Sequence, residues 1–407
     1  MYGGIINGGP PIVGSTLRTD LSEQRMAMNT RKKIRYWLLL VIALSLSWVY
    51  VLRPVSPRSG PTPLQLNDGW AIETQANNSF DTEALHKTIE ASLDGPFNIH
   101  SVIVERHGRL VAEYYQGGRD RSVYGLISAR HSFSASEVHD VRSISKSVTS
   151  LLLGIAQEQG VIGVLSTPVL DFYPELKDIA TPDKQRITLE DLLNMSNGLQ
   201  WHEGQGTFND ELKLMWKGDI PRYVLSHDME KMPGTAFNYN GGGTALLADI
   251  ITRNKHQPFD DYARDQLFEP LGIRDWEWVS DIHGRPLAFS GLRMRPRDLA
   301  KIGRLMLNNG RWGKKQIVPE AWIDMSLTPK FVTGVSNFKY GHQWWAGSVE
   351  WQGKTHAWHA GFGNGGQRLF IVPDLDLVIV TTAGAYDKTA TAVRVNRLLQ
   401  EIVSTTR

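Results

Sequence analysis

The runs of this chain that read as β-strand sit at its two ends, with helical patterns between them, and that arrangement narrows the folds open to it. Ser101-Val102-Ile103-Val104-Glu105 and Leu110-Val111-Ala112-Glu113-Tyr114 flank His107-Gly108 as a β-hairpin. Towards the end, Gln343-Trp344-Trp345, then Gly366 to Val372, then Leu377 to Thr382 have the same β-branched and aromatic character. Between these lie helical patterns: one from Thr188 to Leu193 stopped by Asn197-Gly198, one through Leu246 to Ile251, and one from Arg297 to Met306. A final helix runs from about Thr389 to Val403. The pattern implies an α/β protein of the α+β type. Its antiparallel sheet is built from both ends of the folded region and flanked by helices, with an inserted, mostly helical lobe over roughly residues 165–290.

At 407 residues, 41% hydrophobic and 21% charged, the chain has ample material for a large core. The net charge of +2 and the single basic cluster, Arg31-Lys32-Lys33-Ile34-Arg35, argue against a nucleic-acid partner. The absence of cysteine excludes disulfides and a thiolate nucleophile.

The basic cluster instead belongs to a tail over residues 1–35, within which Met26 or Met28 would make a more usual start. It precedes an uncharged apolar run that reads as a transmembrane anchor over 36–52, rimmed by Tyr36, Trp37, Trp48 and Tyr50. A cleaved signal peptide is the competitor, but no small-x-small site precedes Val51-Leu52-Arg53-Pro54. Residues 53–80, with Pro54, Pro57, Pro61 and Pro63, read as an extended linker to a domain over 81–407. The expectation is a single-pass membrane protein with its domain in the periplasm or outside the cell.

Chemistry concentrates first at Ser143-Ile144-Ser145-Lys146. Val148, Leu151, Leu152 and Ile155 follow at helical spacing and Gly160 closes the run. A serine in the first turn feels the positive end of the helix dipole, and a lysine three residues on reaches the same face. Burial would make that lysine's neutral form accessible as a base. The plain alternative is an N-capping serine with a solvated lysine. A second string, Ser336-Asn337-Phe338-Lys339, has no helical run behind it and reads as loop. Tyr239 sits in a Gly-rich loop and His359-Ala360-Gly361 precedes the last strands; singly they read as a buried phenol and a loop histidine. His342, His356 and His359 do not converge as metal ligands, so no metal and no cofactor is expected. Trp201, Trp344, Trp345 and Trp358 are either core or pocket lining. Asp191 and Glu203 read as capping or solvated acids.

Together and in this order, these pieces resemble the serine β-lactamase and penicillin-binding-protein superfamily, in its class C β-lactamase-like branch of esterases, D-aminopeptidases and 6-aminohexanoate-dimer hydrolases. The likeness extends over roughly residues 97 to 405. It includes Arg142 to Ser150, Thr188 to Leu199, Pro233-Gly234-Thr235 to Tyr239, Arg297 to Gly303, Tyr340 to Trp345, and Gly365-Gly366-Gln367. The resemblance implies Ser143 as acylated nucleophile, Lys146 as its base partner and Tyr239 as the proton shuttle. It implies His359 where many relatives carry the lysine of a Lys-Thr-Gly strand. Backbone N–H groups of Ser143 and of Phe362, which follows Gly361, would form the oxyanion hole. The family's Tyr-x-Asn reads Tyr239-Asn240-Gly241 here, with Asn240 the nearest substitute for the missing amide. The implied activity is hydrolysis of a small amide or ester through an acyl-enzyme. The rival is a non-catalytic module that binds cell-wall peptides.

Overall fold

The computed structural model describes residues 36–37, 55–73, 79–125, 127–203 and 209–407. Val55–Arg407 forms one compact unit. Its spine is a sheet of nine strands in the order Ala71–Ile72, Arg109–Tyr115, Ile99–Arg106, Leu377–Ala383, Gln367–Val372, Lys354–Gly363, Trp344–Trp351, Lys339–Gly341 and Phe331–Val332. All neighbours are antiparallel except the first pair. The two ends of the chain meet at the centre, where Thr381 lies opposite Val102. The mixed architecture, with helices on the sheet and a helical insertion, is the one expected from the sequence.

The two-residue period of the strands sorts their side chains onto two faces. Leu369, Ile371, Val378 and Val380 pack with Ile144, Val148 and Leu151 of helix Ile144–Glu158 and with Leu299 and Ile302 of helix Pro296–Leu307. Phe370, Val372, Leu377 and Ile379 face the other way, onto Leu85 and Ile89 of helix Thr82–Leu93 and Leu398 and Ile402 of helix Thr389–Val403. Two buried ion pairs fasten Pro296–Leu307 to the first hairpin: Arg297 to Glu113 at 3.1 Å and Arg304 to Glu105 at 2.6 Å.

Three expectations change. A strand over Lys354–Gly363 was not among those read from the pattern, because its lysine, threonine, histidine and glycines hide the apolar alternation. Much of the stretch read as an extended linker is part of the folded unit. Ala71–Ile72 adds a parallel edge strand, Ser59 bridges Tyr115, and the buried Trp70 indole donates to the Arg297 carbonyl at 2.9 Å. A tryptophan has enough apolar area to hold such a segment down against the entropy of a proline-rich chain.

The third change concerns the membrane. Among the described residues no helix is long and apolar enough to cross one, which overturns the single-pass anchor. Of the stretch 36–52 only Tyr36 and Trp37 are described, both exposed; the rest lies outside the described residues. Length is the physical obstacle: even fully helical, Trp37 to Leu52 would reach about 24 Å against roughly 30 Å of hydrocarbon. The membrane partner and the periplasmic or extracellular placement fall with the anchor.

Candidate active site

Ser143 stands immediately before helix Ile144–Glu158 in helical dihedrals, and its side chain makes no capping hydrogen bond. The residue before it, Arg142, is held at φ 53°, a left-handed conformation that turns the chain sharply into the helix. The turn is fixed from both sides. Ser145 Oγ donates to the Arg142 carbonyl at 2.6 Å, and Ser147 Oγ to the Gln343 carbonyl at 2.7 Å. Freed from capping, Ser143 Oγ accepts from Lys146 Nζ at 3.2 Å, with the Tyr239 side chain beside it. Lys146 Nζ also sits 4.8 Å from the centre of the Tyr239 ring. The three residues singled out in sequence therefore meet in space. Ser336, by contrast, is exposed on a loop at φ 49°.

Lys146 is buried, and its remaining partners were not anticipated. Nζ donates to Glu203 Oε1 at 3.1 Å, Glu211 Oε2 at 3.2 Å and the Phe289 carbonyl at 3.1 Å. Burial works to lower the lysine pKa, but the two carboxylates outweigh it and hold Lys146 well above its ordinary value. The neutral lysine expected from burial alone is thus reversed: the resting group is a cation. Burial and the neighbouring Glu211 push Glu203 up to about 8, against the pull of Lys146. Glu211 is also raised by burial, yet Lys146 and hydrogen bonds from Glu203, Lys146 and Tyr124 bring it below the usual carboxylate range. The cluster therefore rests as lysine cation, Glu211 carboxylate and Glu203 acid, with no net charge.

Neither acid has a periodic signal. Glu203 lies on a loop and is held by the Trp201 indole at 3.0 Å and the Gly241 N–H at 2.5 Å, the latter at the first turn of helix Gly241–Lys255. Glu211 belongs to the short helix Asp210–Lys213, and Tyr124 donates to it at 3.1 Å. Their one trace in the sequence is a pair of acids flanking the glycines 204 and 206, between the nucleophile and Tyr239. Asp191 does what was expected of it, closing a capping box with Thr188.

The strand Lys354–Gly363 passes directly beside the turn that carries Ser143. A Cβ on Gly361 would lie 2.8 Å from Ile144 Cγ2, and one on Gly363 would lie 2.3 Å from the Val141 carbonyl oxygen. Only glycine permits this approach of the strand to Val141 and Ile144, on either side of the Ser143 turn. The Phe362 ring stacks on Trp345 (centroids 5.3 Å apart, 17°), and Trp345 lies 5.8 Å from the Tyr239 ring. With the half-buried Phe237 they form an aromatic wall. Trp201, Trp344 and Trp358 are buried packing residues. A separate apolar cavity of about 390 Å³, lined by Leu214, Ala248, Phe259 and Phe289 among others, contains none of Ser143, Lys146 or Tyr239.

Two expected residues are placed differently from the rest. Asn240 is buried and caps helix Gly241–Lys255, its Oδ1 accepting from Gly243 N at 3.0 Å, so its amide is committed away from the cleft. His359 is buried on the same strand face as Gly361; burial pushes its pKa down to about 4, and its Nδ1 meets no hydrogen-bond partner. It is a neutral ring.

Comparison with known proteins agrees with this geometry. The Beta-lactamase family model matches residues 100–403. The 6-aminohexanoate-dimer hydrolase of Paenarthrobacter ureafaciens is 25% identical over 300 residues, covering 68% of this chain and 70% of that protein. Among solved structures, a penicillin-binding protein homolog from Caulobacter crescentus superposes with a TM-score of 0.63 at 14% identity, covering 85% of this chain and 99% of that one. A family VIII carboxylesterase does so with a TM-score of 0.61 at 14% identity, covering 81% and 100%. With a family model spanning most of the chain, the protein belongs to the beta-lactamase family.

Proposed function

We propose that the protein is a serine hydrolase that cleaves a small ester or amide through an acyl-enzyme on Ser143. The observation that carries this reading is Ser143 Oγ, which no capping bond occupies, accepting from the buried Lys146 Nζ, itself 4.8 Å from the Tyr239 ring. A serine hydroxyl needs a base to become a nucleophile. Lys146 rests as a cation, so its base form is a minor state, reached by handing a proton to Glu211 3.2 Å away against the pKa order of the two groups. Moving it there exchanges an ion pair for a neutral pair and exposes the Nζ lone pair to Ser143.

Attack then forms the Oγ–acyl bond as the serine proton passes to Lys146. Tyr239, kept protonated by burial against the opposing pull of Lys146, gives its proton to the leaving oxygen or nitrogen as that bond breaks. Lys146 returns a proton to the tyrosine. Water takes the reverse path: it adds to the acyl carbon, loses a proton through the same groups, and releases the acid as Ser143 recovers its hydrogen. The oxyanion of each tetrahedral stage falls to the backbone N–H groups of Ser143 and Phe362. The aromatic wall of Trp345, Phe362 and Phe237 favours a substrate with an apolar portion. His359, neutral, offers no fixed cation for a carboxylate such as a β-lactam presents, which directs the reading to esters and linear amides.

The test is active-site labelling. A fluorophosphonate should label the full chain at one serine, and Ser143→Ala should abolish both labelling and ester turnover while Ser336→Ala leaves both unchanged. Full labelling of Ser143→Ala would refute the assignment, and a folded wild type that binds ligands without turnover would favour the binding-module reading.

A further inference from the structure

Away from the cleft, three buried side chains converge: His100 on strand Ile99–Arg106, Asp120 on strand Gly118–Asp120 and His139 on strand His139–Asp140. One donor atom from each lies within 4.8 Å of the others. His100 Nδ1 and His139 Nε2 face each other at 2.8 Å.

The outward nitrogens decide what those facing atoms carry. His139 Nδ1 lies 2.9 Å from the Asp140 carbonyl, which can only accept, so the ring proton sits on Nδ1. His100 Nε2 lies 3.2 Å from Asn98 Oδ1. That amide cannot be turned over: its Nδ2 donates to the Arg119 carbonyl at 2.7 Å, and its Oδ1 accepts from the Arg119 N–H at 3.1 Å. His100 therefore carries its proton on Nε2. With their outer nitrogens so committed, the two rings turn their inner nitrogens at each other, with a carboxylate beside them. Something positive belongs between them.

We infer that His100, His139 and Asp120 form a divalent-metal site of the zinc class that fastens three strands ahead of the nucleophile turn. Each imidazole donates its outer N–H to an oxygen and turns its inner nitrogen to the ion, which is how protein ligands are commonly oriented for zinc. Asp120 accepts from the Tyr386 hydroxyl at 2.5 Å and has a second oxygen to offer. Water completes a tetrahedron. Bonds of about 2.05 Å would hold the two nitrogens about 3.3 Å apart, so the rings need part by only about half an ångström. The rings cannot swing far: Phe133 stacks on His100 with centroids 4.3 Å apart, and a Cβ on Gly118 would already lie 2.5 Å from His100 Nε2. A shared proton is the competing occupant. The site is structural: none of Ser143, Lys146 and Tyr239 belongs to it, and His139 precedes Ser143 by four residues.

The experiment is metal analysis of untagged full-length protein, stripped with a chelator and reloaded with Zn2+ or Co2+. One tightly held equivalent is expected after dialysis, with Co2+ giving the visible bands of a tetrahedral nitrogen–oxygen site. His139→Ala should lose both. Asp120→Asn, which keeps the size of the side chain and its acceptor for Tyr386, should weaken binding by at least about tenfold, and it carries the comparison if His139→Ala does not fold. Zinc uptake equal in wild type and Asp120→Asn, or no uptake by a folded wild type, would overturn the site. No uptake together with a far-downfield imidazolium resonance would assign the gap to a proton.

Discussion

Glu203→Gln isolates the electrostatic control of Lys146. At pH 7 Glu203 is protonated and uncharged. Above about 8 it ionises and adds a second negative charge 3.1 Å from Lys146 Nζ. At an effective dielectric of about 20 the attraction between those charges is roughly 5 kcal/mol. It tightens the hold of Lys146 on the proton that must leave before Ser143 can be activated. If only a fifth of it reaches the transition state, about 1 kcal/mol, the rate falls about fivefold. Glutamine has the same shape and no charge at any pH. The assay is kcat/KM for a p-nitrophenyl ester from roughly pH 7 to 9.5, with Ser143→Ala as the blank. The wild type should show a falling alkaline limb of at least about fivefold, and Glu203→Gln should lack it. An identical limb in both would refute the reasoning and move proton control elsewhere.

Two further outcomes follow from the packing and from the buried histidines. Gly361→Ala should cost about 1–3 kcal/mol and lower kcat more than tenfold, because its Cβ drives the strand from Ile144. Gly154→Ala, whose Cβ would lie 2.4 Å from Trp322, should cost similar stability in denaturant titrations but spare the kcat of the folded fraction; equal kcat losses would discount the strand's role. His342 and His359 are both pushed down to about 4 by burial, so the unfolded chain protonates them first as pH falls. Their contribution is whole above about 6.5 and is lost towards 4, roughly 3 kcal/mol per ring from a gap of about 2.5 pKa units. Denaturation midpoints should drop over that window, and less so in His359→Asn; a flat profile would contradict the burial argument.

Much of the fold was legible because it rests on local patterns. The first hairpin, the helices Ile144–Glu158, Pro296–Leu307 and Thr389–Val403, and the cap at Thr188 all announce themselves within a dozen residues. The proximity of Ser143 to Lys146 was legible from their spacing, while that of Tyr239 to both followed only from resemblance. What escaped was anything decided by residues distant in sequence. The charge state of Lys146 is set by Glu203 and Glu211, 57 and 65 positions away, so burial alone gave the wrong sign. Asn240 looked like a substrate amide, but position before a helix decided its use as a cap. The pairing of His100 with His139 needed three strands to form first.

The central pairing of Ile99–Arg106 with Leu377–Ala383 also has a meaning for biosynthesis. Ser101 and Thr382 share a hydrogen bond across 281 positions of chain. The hairpin must wait, with an open edge, for a strand made 281 positions later. Until that strand docks, Gln367–Val372 and Lys354–Gly363 cannot join the hairpin in one sheet, and the flank of the nucleophile turn stays unbuilt. A chain cut short before Leu377 would therefore carry Ser143 and Lys146 but lack the strand that joins the sheet's two halves.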